Sequence, residues 1–163
     1  MVARSSQGFT DSATRVEVDG RGNYPRAVGK PAARILVVDD EPLVRWSVAE
    51  TLTAAGYDVE EAGNAKAALK ILSSPAPAGY SADDRPFDVA LLDVRLPDSD
   101  GLGLLATMRA RAPSLAIALM TAFGTKALAQ SAICLGAFTV LDKPFDMDDV
   151  LRLVRQATES RPH

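Results

Sequence analysis

The sequence predicts an α/β fold, a doubly wound sheet of five parallel strands with helices on both faces. Four short apolar runs are typical of buried parallel strands, and a fifth, more polar segment is predicted to be an edge strand. Each strand is followed by a segment in which apolar residues recur at helical spacing. Right-handed crossovers then place the helices on both faces of the sheet. The strand order 2-1-3-4-5 of small doubly wound folds fits this alternation.

The strands follow from the apolar runs, and the first two helices follow from their terminal residues. The predicted strands cover residues 35–38, 58–61, 89–92, 115–120 and 137–141. Pro42 suits the first turn of the first helix, and Gly56 is expected to end it. Asn64 is expected to cap the second helix through its side-chain oxygen.

The last three helices are predicted from a cap and from their apolar faces. Asp100 is expected to cap the third helix, and the fourth and fifth helices are predicted at 126–135 and 147–157. The residues predicted to face inward are Leu102, Leu105, Ala106 and Met108 in the third helix and Val150, Leu151 and Val154 in the fifth. Residues 73–86 contain three prolines and a glycine, which predicts a surface loop.

Composition predicts one folded domain with short additions at both ends. Residues 1–33 are rich in Ser, Gly, Thr, Arg and Pro and lack periodicity, which predicts a disordered or loosely ordered extension. Residues 34–158 are predicted to form the domain, and 159–163 a C-terminal tail. A net charge of −3 argues against a dedicated nucleic-acid-binding protein. No apolar run approaches the roughly 18 residues of a membrane helix, and no signal core is visible, so we expect a cytoplasmic protein.

The scarcity of histidine and cysteine excludes several kinds of site. His163 is the only histidine and the last residue, which excludes Ser-His-Asp catalysis and His-ligated metals in the domain. Cys134 is the only cysteine, so neither an intrachain disulfide nor a thiolate zinc site can form. Because it falls in an apolar helical stretch, Cys134 is predicted to be a small buried hydrophobe.

Polar side chains follow four of the five predicted strands. Asp39 and Asp40 come directly after the first strand, and Asp93 after the third. Thr121 follows the fourth strand, and Lys143 lies just beyond the fifth. Ligands of open α/β sheets bind outside the carboxyl ends of the strands. We therefore expect these five side chains to meet in one crevice.

The charges in this crevice predict a divalent cation. Two unit charges about 4 Å apart repel by roughly 4 kcal/mol at an effective dielectric of about 20, and three carboxylates with one lysine leave two uncompensated charges. We predict Asp40 and Asp93 as direct Mg²⁺ ligands, with Asp39 acting directly or through water. Lys143 is expected to pair with Asp93, and Thr121 to donate its hydroxyl to a phosphoryl group. The alternative is that these aspartates only form turns and caps.

Four motifs in this order resemble the receiver domain of two-component response regulators, especially the nitrogen-regulator type. They are VVDDEP at 37–42, LLDVRLPDSDG at 91–101, MTA at 120–122 and KPF at 143–145. The resemblance covers residues 34–157, about three-quarters of the chain. It implies the flavodoxin-like receiver fold and a function in phosphorelay signal transduction.

The resemblance implies a role for each residue around the acids. Asp93 is the phosphoacceptor, which takes a phosphoryl group from a histidine of a sensor kinase or a histidine phosphotransfer protein. Asp39 and Asp40 bind Mg²⁺ together with Asp93, and the backbone carbonyl of Arg95 is a further ligand. Lys143 bridges to the phosphoryl group.

The resemblance also implies a switch. Thr121 rotates toward the phosphoryl group and remodels the face formed by the fourth helix, fifth strand and fifth helix. A downstream output protein or domain reads this face, which is also the candidate homodimer surface. Receivers usually carry an aromatic residue three positions before the lysine, but Val140 stands there, so we expect altered coupling. The peptide bond between Lys143 and Pro144 is expected to be cis.

Trp46 is out of phase with Val44 and Val48, so we expect it to lie off the core face of the first helix. Two interpretations remain for its side chain. It contacts the phosphodonor protein, which in receivers docks near this helix, or it packs against the flank of its own domain.

Two other functions compete with the signalling switch. A phosphorylation-independent, receiver-like adaptor is suggested by Val140. A phosphohydrolase of the haloacid-dehalogenase type needs an acid two residues after the nucleophile, where this chain has Arg95, so this class is disfavoured. The chain also lacks a P-loop motif. We therefore expect no enzyme beyond autocatalytic phosphoryl acceptance and self-hydrolysis of the aspartyl phosphate, and no direct nucleic-acid or membrane partner.

Overall fold

The computed structural model describes residues 33–75 and 87–160. The strands are β1 (Arg34–Val38), β2 (Asp58–Ala62), β3 (Val89–Asp93), β4 (Arg95–Leu96), β5 (Ser99–Asp100), β6 (Ala116–Thr121) and β7 (Thr139–Asp142). The helices are α1 (Pro42–Ala54), α2 (Ala65–Leu72), α3 (Gly101–Arg111), α4 (Lys126–Cys134) and α5 (Met147–Glu159). Among these helices none is long and apolar enough to cross a membrane.

The main sheet confirms the predicted architecture. Its five parallel strands lie in the order β2-β1-β3-β6-β7, which is the predicted order 2-1-3-4-5 once the two short strands are set aside. The short strands β4 and β5 form a separate antiparallel hairpin directly after β3. This hairpin was not predicted from the sequence, because two-residue strands carry no periodicity.

Alternating residues of the central strands fill two cores, one on each face of the sheet. In β1, Leu36 and Val38 pack on the side of α2 and α3, while Ile35 and Val37 pack on the side of α1 and α5. All four side chains are fully buried. Burial on both faces explains why these strands are continuous apolar runs.

The predicted N-terminal caps of the second and third helices, α2 and α3, are both observed. The Asn64 side chain accepts a hydrogen bond from the Ala67 amide, and Asp100 accepts one from the Gly103 amide. Positive φ angles at Gly56 and Gly136 end the turns after α1 and α4, a conformation that favours glycine.

The prediction that Ala106 faces inward was wrong, because its side chain is exposed. Leu102 and Leu151 are half-buried and pack against the two cores, as predicted. Leu105 and Met108 of α3 are buried as predicted, and Leu104, which was not predicted, is buried beside them. Gly101, the first residue of α3, lies close to the Val94 backbone, where a Cβ would not fit.

Cys134 is exposed, which contradicts the prediction of a buried hydrophobe. Only Ala132 of α4 is buried, so this apolar helix covers the sheet with one small residue and leaves most of its surface open. Apolar composition alone therefore did not identify the inward face.

The predicted domain boundaries at residues 33/34 and 158/159 stay predictions. The extension before Ala33 and residues 161–163 of the tail lie outside the described residues, as do residues 76–86 of the predicted surface loop.

Of the two glycines in the first turn of α3, Gly101 is predicted to be the less tolerant of substitution. A Cβ there would lie 2.5 Å from the Val94 Cα and 2.9 Å from its carbonyl oxygen, both backbone atoms. We expect Gly101→Ala to lower the free energy of unfolding by about 1–3 kcal/mol, as overpacking does. Gly103→Ala is the matched control, because its Cβ would meet only side-chain atoms of Asp100. Equal urea midpoints for the two variants would contradict this account.

Candidate functional site

The structure brings three carboxylates together at the carboxyl edge of the sheet. Oxygens of Asp39, Asp40 and Asp93 lie within 4.8 Å of one another. Asp39 follows β1 and Asp93 ends the neighbouring strand β3, so sheet pairing itself makes them adjacent. Asp39 and Asp93 are buried, whereas Asp40 is exposed. The predicted convergence of the acids is therefore observed.

Lys143 reaches the same pocket from the loop after β7. Its Nζ lies 2.8 Å from Asp39 Oδ2 and 3.5 Å from Asp93 Oδ2. The predicted pairing of Lys143 with Asp93 is present, but Asp39 is the closer partner and accepts the hydrogen bond from Lys143. A carboxylate oxygen of Glu41, a residue not predicted to belong to the site, lies 3.6 Å from the same nitrogen. Glu41 directly follows Asp39 and Asp40 in the sequence, and this adjacency could have identified it.

The surroundings in the pocket raise the pKa values of both Asp93 and Lys143. Burial raises the pKa of the Asp93 carboxyl, and the Asp39 charge raises it further, while the Arg95 amide and Lys143 oppose the change. For Lys143, burial alone would lower the pKa, but the hydrogen bond and charge of Asp39, with Asp93 and Glu41, raise it. The carboxylates thus hold the ammonium charged, and one ammonium does not fully compensate them.

A stability test follows from the raised pKa of Asp93. The pKa of Asp93 in the folded protein lies above its ordinary value of 3.8. Ionisation of this group therefore lowers the free energy of unfolding as pH rises from 3.8 through the folded-state pKa. We expect Asp93→Asn to unfold at higher urea concentration than the parent protein at pH 7 without Mg²⁺. The difference in urea midpoint between the two proteins should disappear below pH 3.8, where the Asp93 carboxyl is neutral like the asparagine amide. A less stable variant at neutral pH would contradict this electrostatic account.

Thr121 is the buried last residue of β6, one strand away from Asp93. Its hydroxyl oxygen accepts a hydrogen bond from the Phe123 amide at 3.1 Å, and its carbonyl accepts one from the Lys143 amide at 2.7 Å. The main chain therefore joins the threonine to the lysine. The predicted donation from its hydroxyl to a phosphoryl group stays a prediction.

The β4–β5 hairpin positions Arg95 beside the acids. The Arg95 amide donates to Asp93 Oδ1 at 3.1 Å. The Gly101 amide donates to the Val94 carbonyl, one residue outside the Arg95–Asp100 pair. This pair is therefore of the non-hydrogen-bonded kind, and the ladder does not use the Arg95 carbonyl. The Arg95 guanidinium lies 4.7 Å from the centre of the Phe123 ring, joining the loops after β3 and β6.

The outer surface near Lys143 contains an apolar groove of about 480 Å³. Its lining includes Leu43 and Val44 of α1 and Pro144 and Phe145 beyond β7. Trp46 on the same helix is 58% exposed, which confirms that it lies off the core face. The Lys143–Pro144 peptide is cis, as expected.

Val140 lies in β7, half-buried and packed against the core on the α2–α3 side. A valine fills this position without an aromatic ring that could change between buried and exposed orientations. Its effect on switching stays a prediction.

The donor set fits Mg²⁺. Mg²⁺ prefers oxygen ligands and is typically held by one or two carboxylates with several waters. Asp39, Asp40 and Asp93 supply carboxylate oxygens in one cluster, and the Arg95 carbonyl is left free by the hairpin ladder. No sulfur or imidazole donor is present among the described residues of this pocket.

Comparison with known proteins agrees with this fold and pocket. The family model described as response regulator receiver domain matches residues 35–155. The chain therefore belongs to the receiver domains of two-component response regulators, and it is nitrogen-regulator-like. Aspartate phosphorylation and Mg²⁺ binding at an acidic pocket are typical of this family, whose members interact with histidine kinases and output domains.

The relatives include nitrogen-regulator proteins. The chain is 37% identical over 123 residues to the DNA-binding transcriptional regulator NtrC of Escherichia coli, covering 76% of this chain and 24% of that protein. It is 36% identical over 128 residues to the response regulator PilR of Pseudomonas aeruginosa, covering 78% of this chain and 26% of PilR. The chain thus spans about a quarter of the length of these relatives.

Solved structures show the same fold. A CheY-like receiver domain from Methanospirillum hungatei superposes with a TM-score of 0.68 at 26% identity, covering 77% of this chain and 93% of the other. NtrX from Brucella abortus, solved in complex with ADP, gives a TM-score of 0.67 at 32% identity, covering 78% of this chain and 27% of NtrX.

Proposed function

We propose that this receiver accepts a phosphoryl group on Asp93 in the presence of Mg²⁺ and thereby switches protein–protein interactions. The observation that carries the proposal is the cluster of three carboxylates with the Lys143 ammonium inside it. Asp39, Asp40, Asp93 and the Arg95 carbonyl would hold the cation.

The pocket contains what phosphoryl transfer requires. Asp93 presents one oxygen to the Arg95 amide and the other toward Lys143, which fixes the orientation of the nucleophile. An Asp93 oxygen forms the bond to phosphorus while the bond from phosphorus to the donor histidine nitrogen breaks. Bound Mg²⁺ would neutralise charge on the transferring group, and Lys143 would contribute a second positive charge. Thr121 would donate its hydroxyl to the phosphoryl oxygen.

The direct test is phosphorylation by acetyl phosphate, a small-molecule donor. Intact mass spectrometry should show the addition of one HPO₃ group when Mg²⁺ is present and none when EDTA replaces it. Reduction with borohydride and peptide mapping should locate the group at Asp93. Absence of the added mass at saturating donor and Mg²⁺ would overturn the proposal.

The proposed partners follow from the family and the exposed surface. A sensor kinase or a histidine phosphotransfer protein would supply the phosphoryl group, contacting the groove beside Lys143 and the exposed Trp46. A downstream output protein or domain would read the face formed by α4, β7 and α5. Pairing of two copies through that face is part of the same proposal. Direct binding to nucleic acid or a membrane is not part of it, and a cytoplasmic location stays a prediction.

The adaptor alternative is supported only by Val140 and is not favoured by the family match. It requires that partner affinity be independent of Asp93. Binding of an output partner that is equal for the parent protein and for Asp93→Asn, with and without acetyl phosphate, would support the adaptor. We propose no enzymatic activity on other substrates, apart from hydrolysis of the protein's own aspartyl phosphate.

A further inference from the structure

The N-terminus of α2 is held by a side chain from a distant part of the chain. Asp98 Oδ1 accepts a hydrogen bond from the Ala65 amide at 2.8 Å, and Oδ2 accepts one from the Lys66 amide at 3.0 Å. The next amide, that of Ala67, is bound by Asn64, the helix's own cap. One carboxylate thus binds two free amides at a helix N-terminus, a favourable place for a negative charge.

Asp98 lies at the tip of the β4–β5 hairpin, which carries Arg95. At its base the hairpin is held by the Arg95 amide on Asp93 and by the Gly101 amide on the Val94 carbonyl. At its tip the hairpin is attached to α2 by the two hydrogen bonds that Asp98 accepts from the Ala65 and Lys66 amides. The orientation of the hairpin, and with it the Arg95 carbonyl, depends on both ends.

The helix at the other side of this contact is a rigid anchor. Ala65, Ala68 and Leu72 of α2 are buried in the core beside the sheet. The helix therefore has a fixed position relative to β1, which leads into Asp39 and Asp40. The Asp98 contact connects the Arg95 loop to the same framework that positions these acids.

We propose that Asp98 is a positioning residue for the metal site, because it clamps the Arg95 hairpin onto α2 and so fixes the Arg95 carbonyl relative to the acidic cluster. This inference rests on the proposed function, in which that carbonyl and the three carboxylates hold Mg²⁺. The two amide hydrogen bonds also lower the pKa of the Asp98 carboxyl, so the clamp is ionised at neutral pH.

The experiment is a titration of the full chain with Mg²⁺ alone. Isothermal titration calorimetry measures the binding affinity. Outer-shell contacts that orient metal ligands typically contribute about 10- to 100-fold in affinity, and we expect Asp98→Ala to weaken Mg²⁺ binding by about 10-fold. Asp98→Asn should lie between Ala and the parent, because one amide oxygen can replace one of the two bonds. Asn64→Ala is the matched control, since it removes a cap from the same helix without releasing the hairpin.

The outcomes separate this inference from the proposed function. If the parent protein binds no Mg²⁺, both are overturned. If the parent binds Mg²⁺ and Asp98→Ala binds it equally well, only the clamp is overturned. Equal weakening in Asp98→Ala and Asn64→Ala would assign the effect to helix stability and overturn the clamp. Equal weakening in Asp98→Ala and Asp98→Asn would assign it to charge alone, which also overturns the clamp. If Asp98→Ala does not fold, the comparison of Asp98→Asn with the parent decides.

Discussion

Replacement of Asp93 by asparagine is expected to abolish the phosphoryl adduct completely. The amide lacks the nucleophilic carboxylate, and within residues 33–75 and 87–160 no second carboxylate has the same pair of contacts to the Arg95 amide and Lys143. Intact mass after incubation with acetyl phosphate and Mg²⁺ is the measurement. This result would assign the chemistry to one side chain of the cluster.

Asp100→Asn is the control for the loss of an aspartate in the same loop. Asp100 caps α3 through the Gly103 amide and is exposed. It belongs to no described metal-ligating cluster. Its variant should still accept the phosphoryl group. An adduct that persists in Asp93→Asn, or disappears equally in both variants, would contradict the assignment to Asp93.

Replacement of Asp40 by asparagine is expected to weaken Mg²⁺ binding by at least about 10-fold, since even outer-shell contacts contribute that much. Asp40 is the informative choice because it is exposed and, among the described residues, its carboxylate makes no hydrogen bond or ion pair. Its loss should therefore change stability little. Asp39, by contrast, accepts bonds from Lys143 and the Glu41 amide, so its replacement would also disturb the fold.

Glu41→Gln supplies the matched control for Asp40→Asn. It removes the same unit of charge from a side chain that is also mostly exposed and lies 3.6 Å from Lys143. A ligand role for Asp40 predicts a much larger loss of Mg²⁺ affinity in Asp40→Asn than in Glu41→Gln. Equal losses would show that the pocket attracts the cation only through its net charge.

Much of the fold and of the pocket could be predicted from the sequence because both depend on local patterns. The apolar runs identify strands buried on both faces, and parallel pairing then brings the ends of β1 and β3 together. Asp39, Asp40 and Asp93 follow from that geometry alone. Lys143 was placed in the right pocket for the same reason.

What the sequence did not show depends on contacts between distant segments. Asp98 and Ala65 are 33 positions apart, and neither carries a local signal for the other. The preference of Lys143 for Asp39 depends on the positions of three acids at once, which a pattern of strand ends does not resolve. The buried face of α3 includes Leu104 and leaves Ala106 exposed, which the helical spacing of apolar residues alone did not distinguish.

The central claim is that one pocket holds the cation and a phosphoryl group bound to Asp93. Fluorine NMR with beryllofluoride, a mimic of the phosphoryl group, tests this claim directly. The account predicts resonances of protein-bound fluoride that need Mg²⁺ and are absent from Asp93→Asn. Bound resonances that persist in Asp93→Asn, or that do not form in the parent protein at saturating Mg²⁺, would contradict it.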